Sequence, residues 1–186
     1  MNVTRPINSE NPLLLVYGTL KSPYGNWKAY LDNKSTNNLG TTAIPASAGF
    51  IMYDWGGFPI VQSRSEIMQY LADNKRMNEV PTVPEATPIV CQLYRVTAET
   101  LRCIDGLEGH PDWYKRRTHP VRLTVGTNGE ATEPAWVYIM PPEGNDDFRG
   151  RTDWSDDHVA SGCWRPTDAC VTYMIDTGMI EENANV

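Results

Sequence analysis

Leu13-Leu14-Leu15-Val16 is the longest aliphatic run in the chain, and it stops at Tyr17-Gly18. Four residues are too few for a helix, so the run reads as a buried strand bounded by its glycine. Gly18 permits a sharp turn and leaves the backbone N–H groups of the residues after it open to a ligand. Much further along, Leu101-Arg102-Cys103-Ile104-Asp105-Gly106-Leu107-Glu108-Gly109 reads as a helix whose last turn ends in one carboxylate. Glu108, followed at once by Gly109, stands at a helix–loop junction, where a side chain can be aimed into a cleft. A loop of free backbone donors facing one carboxylate can bind a zwitterion and move one proton.

Short strands and few helices fill the remainder. Asn26 to Leu31 reads as a short helix opened by Asn26 as its cap. Thr41 to Tyr53 reads as a strand, Asp54-Trp55-Gly56-Gly57 as a turn, and Phe58 to Gln62 as the return strand of a hairpin. Ser65 to Met77 places Glu66, Ile67, Tyr70 and Leu71 in helical register, with Ser65 as cap, and Pro81, Pro84 and Pro88 stiffen the exit. Ile89 to Val96 is a strand of near-alternating pattern. Thr97 caps the helix in which Leu101, Ile104 and Asp105 share a face, and Gly106 weakens its end. Lys115 to Val125 and Ala135 to Met140 read as strands, with a turn at Gly126-Thr127-Asn128-Gly129. Cys170 to Ile175 could form an added edge strand or a dimer contact, which makes a homodimer the candidate assembly. This pattern predicts an α+β domain and not a parallel doubly wound one.

Charge and cysteine usage narrow the function classes. At 186 residues the chain supports one domain with an ordinary core. The net charge of −7 lies wholly in residues 141–186, which carry 3 Lys+Arg and 10 Asp+Glu, while residues 1–140 carry 13 of each sign. An acidic tail repels phosphate backbones and argues against nucleic acid as a partner. No apolar run approaches the ~20 residues of a membrane span, and the first residues lack the apolar core of a signal peptide; a cytoplasmic protein is expected. Cys91, Cys103, Cys163 and Cys170 show no Cys-x-x-Cys spacing and read as free thiols used as small apolar residues. His110, His119 and His158 are not spaced as metal ligands. Asp153, Asp156, Asp157 and His158 lack the glycine and closing Glu of a Ca²⁺ loop, so no metal is expected. The chain also has no Gly-x-Gly-x-x-Gly, no phosphate loop and no Gly-x-Ser-x-Gly elbow, which argues against nucleotide cofactors and serine hydrolysis. No cofactor is expected.

Taken in order, several segments resemble the γ-glutamylcyclotransferase superfamily, in particular its γ-glutamylamine cyclotransferase-like branch. Tyr17-Gly18-Thr19-Leu20 is similar to the family's Tyr-Gly-Ser/Thr-Leu substrate loop. Leu101 to Tyr114, followed by Arg116, resembles its Leu-x-x-(Leu/Ile)-Asp-x-(hydrophobic)-Glu stretch with a trailing Tyr-x-Arg. Gly57-Phe58-Pro59-Ile60-Val61 is similar to its aromatic-Pro-hydrophobic strand. Ala135 to Ile139 and Ser161-Gly162-Cys163-Trp164 are similar to its closing strand and Gly-x-Trp segment. The resemblance implies a domain over 12–166, preceded by an extension over 1–11, carrying an insertion at about 65–86 and followed by an acidic tail over 167–186. It also implies a small mixed β-barrel with surrounding helices.

The resemblance places Glu108 on the catalytic glutamate. Cyclisation of a γ-glutamyl group needs its α-ammonium deprotonated, so that the amine can attack the γ-carbonyl. A single carboxylate can take that proton and deliver it to the departing amine, given a pKa raised toward neutrality by burial beside Leu107 and Trp113. Gly18, Thr19 and Leu20 would bind the substrate through backbone N–H groups. Tyr17 would pack under the loop or supply a hydroxyl. Tyr114 and Tyr138 would either reach the pocket rim or fill the core. Asp105 would raise the Glu108 pKa or hold the helix end, and Arg116 would support one of the two. The implied substrate is a small γ-glutamyl amine, peptide or other γ-glutamylated molecule, converted to 5-oxoproline and a free amine. The alternative is a non-catalytic protein that captures a small metabolite in the same pocket.

Overall fold

A computed structural model gives the fold and describes residues 3–4, 6–33, 35–74, 83–125, 129–144 and 157–180. Among the described residues, eight strands and four α-helices form an α+β domain. The larger sheet contains β1 (Val3–Thr4), β2 (Leu13–Val16), β3 (Asn37–Ile44), β6 (Ile89–Arg95), β7 (Lys115–Val125) and β8 (Gly129–Ile139). β8 lies between β7 and β2, and the sheet continues through β6 to β3. β2 runs parallel to β8, with Leu13 opposite Ala135, and antiparallel to β6. A second sheet is the hairpin of β4 (Phe50–Asp54) and β5 (Pro59–Ser63), joined at the predicted turn.

The aliphatic run of β2 follows from its central position. Leu14 and Val16 face one core cluster with Ile60 and Ile104, whereas Leu13 and Leu15 face another with Val61, Val137 and Trp164. Both faces of the strand are therefore dry, and no polar residue alternates with the apolar ones. β5 belongs to both clusters in the same way, and the Met140 N–H donates to Val61 O at 2.9 Å, tying the small sheet to the end of β8. The expected barrel is not closed. Among the described residues β3 and β7 end the strand path with no ladder between them, because β4 and β5 pair with each other instead of bridging the gap.

Several predicted boundaries move. β3 and β4 are separate strands, broken by Pro45 and a short 3₁₀ turn that ends at Gly49 with φ of 75°. α1 (Gly25–Tyr30) starts after Tyr24, so Asn26 is inside the helix and does not cap it. α2 (Arg64–Asp73) is capped by Ser63, not Ser65, since the Ser63 hydroxyl accepts from the Glu66 N–H. α3 (Ala98–Leu107) has the predicted cap: the Thr97 hydroxyl accepts from Thr100 N–H at 3.1 Å. The segment expected as an edge strand is a helix, α4 (Asp168–Asp176). Thr167 caps it, and Cys170 and Met174, four residues apart, bury one face with Val90 and Cys163. The Gly126–Asn128 part of the predicted turn, Lys75 to Met77 of the predicted helix, Pro81, Asp153 and Asp156 lie outside the described residues.

Candidate functional site

Where α3 ends, its sequence dictates the geometry. Glu108 is the C-terminal cap, and Gly109 follows at φ of 60°, the left-handed conformation that glycine adopts at no steric cost. His110 N–H then donates to Asp105 O at 2.9 Å, and Gly109 N–H to Gly106 O at 3.4 Å. These are the paired bonds of a Schellman motif, which satisfies the last carbonyls of the helix and turns the chain sharply away. Trp113 N–H bonds back to Gly109 O at 2.8 Å, and Tyr114 N–H to Glu108 O at 3.3 Å, so the following loop is pinned under the carboxylate.

The strand-to-loop junction lies opposite. Lys21 N–H donates to Gly18 O at 2.9 Å and closes a tight turn, while the N–H groups of Gly18, Thr19 and Leu20 make no backbone hydrogen bond among the described residues. Gly18 is not in the left-handed region, so the reason for a glycine is not its φ. A Cβ there would stand 2.8 Å from Pro59 Cγ and 3.1 Å from Pro59 Cδ, too close for a rigid ring to relieve. The requirement is close approach between the β2 loop and β5.

Between the two junctions is a cavity of about 270 Å³. Glu108, Tyr17, Gly18, Thr19, Leu20, Tyr114 and Tyr138 all line it, so every site residue expected from the sequence is in one place. Asn26, Gly57, Phe58, Pro59, Leu107 and Trp113 complete most of the wall. Among the described residues, Glu108 is the only ionisable carboxyl or basic group in this lining. Burial pushes its carboxyl up to about 7, because the charged form loses solvation with no cation beside it. Such a group can accept and return a proton near neutral pH.

The tyrosine hydroxyls have separate duties. Tyr17 donates to the Tyr138 carbonyl at 2.7 Å, under the loop. Tyr138 donates to Asp105 Oδ1 at 2.8 Å. Burial raises Tyr17, Tyr114 and Tyr138 above the usual phenol range, so each remains a neutral hydroxyl. Arg116 Nε is 3.2 Å from Asp105 Oδ1, an ion pair whose N–H is not aimed at the oxygen, and the guanidinium lies 4.8 Å from the Trp136 ring centre. Asp105 and Arg116 thus support Tyr138 from behind the cavity.

A family model described as "Gamma-glutamyl cyclotransferase, AIG2-like" matches residues 14–166. The chain belongs to this family. A protein of Methanocaldococcus jannaschii, provisionally named a gamma-glutamylcyclotransferase, is 30% identical over 128 residues, covering 69% of this chain and 83% of that protein. Among solved structures, a mouse AIG2-like protein is 18% identical with a TM-score of 0.45, over 72% of this chain and 82% of that one. An uncharacterised Pyrococcus horikoshii protein is 16% identical with a TM-score of 0.40, over 91% and 98%.

Two parts of this gamma-glutamyl cyclotransferase-family cavity escape a linear reading. The Asn26 side chain donates to Thr19 Oγ1 at 2.8 Å and buttresses the loop from α1, a role its cap-like sequence position conceals. Trp113, half exposed, stands at the mouth with Phe58, and Phe58 packs edge-on against Trp55 at 5.5 Å. An exposed tryptophan beside a predicted catalytic carboxylate is the sequence signal that could have flagged this rim. Among the described residues no three His, Cys, Asp or Glu side chains converge on a metal position, and His158 bridges in backbone to Tyr53.

Proposed function

We propose that the protein is a γ-glutamyl cyclotransferase that releases 5-oxoproline and a free amine from a small γ-glutamyl compound. The observation that carries this reading is the buried Glu108 carboxyl, raised to about 7, across one cavity from a loop whose N–H groups have no backbone partner among the described residues. The γ-glutamyl group would lie on Gly18, Thr19 and Leu20, its α-ammonium against Glu108. The ionised carboxylate takes one ammonium proton, and the freed amine attacks the γ-carbonyl carbon to close a five-membered ring. Negative charge that develops on the carbonyl oxygen is met by loop N–H groups. Glu108 returns that proton to the departing nitrogen as the C–N bond breaks, then takes the second proton from the ring nitrogen, which becomes the lactam N–H, and passes it to the amine, which leaves as its ammonium. No water is consumed: two protons leave the substrate's ammonium nitrogen, and Glu108 carries both to the leaving amine.

The leaving amine would occupy the outer cavity between Phe58 and Trp113. Support for this comes from the aromatic lining there and from the absence of other charged groups among the described lining residues. The test is a panel of γ-glutamyl amines and peptides assayed for 5-oxoproline. Glu108→Gln should lower turnover by ~10²–10⁴ while ligand affinity stays within about tenfold, since the amide keeps shape and hydrogen-bond reach. Full activity in that variant contradicts the mechanism, and tight binding by the native protein with no product identifies it as a capture protein.

A further inference from the structure

Directly behind the cavity loop, Lys21 is fully buried. Its ammonium donates to Trp164 O at 2.6 Å and faces two sulfurs, Cys163 Sγ at 3.7 Å and Cys170 Sγ at 3.9 Å. No carboxylate pairs with it among the described residues. A buried ammonium without a counter-charge is strongly unfavourable, so the balancing anion has to come from the thiols. Cys170 is the better placed. It lies in the first turn of α4, its sulfur accepts from the Thr167 hydroxyl at 3.3 Å, and Cys163 shares its buried cluster. The neighbouring Cys163 and the Thr167 hydroxyl hold Cys170 well below the usual thiol range, while the neighbouring Cys170 and burial push Cys163 up. One thiolate beside one neutral thiol is the arrangement of an attacking and a resolving cysteine.

This cluster also touches the cavity loop. Lys21 closes the Gly18 turn through its own N–H, and Tyr24, just beyond it, donates to Arg165 O at 2.5 Å and packs on Trp164 at 5.6 Å. The segment 163–170 therefore clamps the back of the loop, with the lysine as its centre.

We propose that Cys163 and Cys170 form a redox-active pair in which Cys170 is the counter-ion of Lys21, and that their disulfide releases Lys21 and reshapes the Tyr17–Leu20 loop. With hydrogen peroxide as oxidant, the Cys170 sulfur attacks one peroxide oxygen, the O–O bond breaks, and hydroxide leaves a sulfenic acid. The Cys163 sulfur then attacks the Cys170 sulfur, the S–O bond breaks, and the thiol proton leaves with the oxygen as water. Two thiol sulfurs are oxidised and one peroxide is reduced. The disulfide carries no charge, so the Lys21 ammonium loses its anion inside the protein and is driven from that position.

The full chain, reduced and then freed of reductant, is titrated with hydrogen peroxide, denatured in iodoacetamide and digested with trypsin. Pro166 blocks cleavage after Arg165, so both cysteines fall on the one peptide 152–186. The expected product is that peptide without alkyl groups and lighter by two hydrogen atoms, formed before the exposed Cys103 is modified. Lys21→Met should slow its formation by about tenfold or more, and Lys21→Arg, which keeps a cation, should restore most of the rate. Cys163→Ser should leave a Cys170 sulfenic acid that dimedone captures, a readout that does not depend on Lys21 variants folding. In amide NMR spectra, oxidation should shift Gly18, Thr19 and Leu20. A doubly alkylated 152–186 peptide after Cys103 has already reacted overturns the pair, and unshifted loop amides in the oxidised protein overturn its link to the cavity.

Discussion

Glu108 carries a stability signature as well as a chemical one. The folded carboxyl holds its proton up to about 7, whereas the ordinary carboxyl releases it near 4.5. Between those values the folded state binds more protons than the unfolded chain, so stability is full below about pH 4.5 and falls as pH rises through 7. Glu108→Gln removes this dependence. Its melting temperature should exceed that of the native protein by a margin that grows from pH 5 to pH 8, toward roughly 3 kcal/mol of difference. Parallel melting curves across that range contradict a raised Glu108. The same ionisation should give kcat/KM an acid limb near pH 7. At Gly18, a methyl group would collide with the Pro59 ring. Gly18→Ala should raise KM about tenfold or more and lower the melting temperature by several degrees as the loop shifts off the Pro59 ring, and an unchanged KM in the folded variant refutes the close approach. The Glu108 position was legible because a helix end followed by glycine is a local signal. The Pro59 contact was not, since it depends on how a hairpin distant in sequence folds back onto the loop.

Among the elements, α4 shows where local propensity misleads. Val171, Thr172, Tyr173 and Ile175 all favour strands, yet the segment is helical. Thr167 caps it, and the four-residue spacing of Cys170 and Met174 presents one apolar face to Val90 and Cys163. Burial of that face outweighs the propensities, whose whole scale spans ~1 kcal/mol. β2, buried on both faces, was the most legible element, because it leaves no position where a polar residue belongs. Caps were less so: Ser63 and Ser65 stand two residues apart, and only the observed bond from Glu66 N–H chooses between them. Removing the chain from Thr167 onward should expose Val90 and Cys163 and lower the melting temperature by about 5 °C or more. A truncated protein with the native melting temperature would show that α4 contributes nothing to the fold.

At the scale of the whole molecule, the cavity exists because two sheets meet without closing. β5 rises beside β8, the β2 loop rests on Pro59, and the end of α3 covers the remaining side. The site thus draws on segments distant in sequence, each ending at a point of backbone constraint: Gly18 by contact, Gly109 by its left-handed φ. A substrate that cyclises on itself in this cavity, as proposed, leaves a signature in isotopic water. In water enriched with oxygen-18, turnover of a γ-glutamyl amine should yield 5-oxoproline and free amine in equal amounts, with no oxygen-18 in the 5-oxoproline. Glutamate carrying oxygen-18 would instead show hydrolysis, and would contradict a reaction in which the substrate's own amine is the nucleophile.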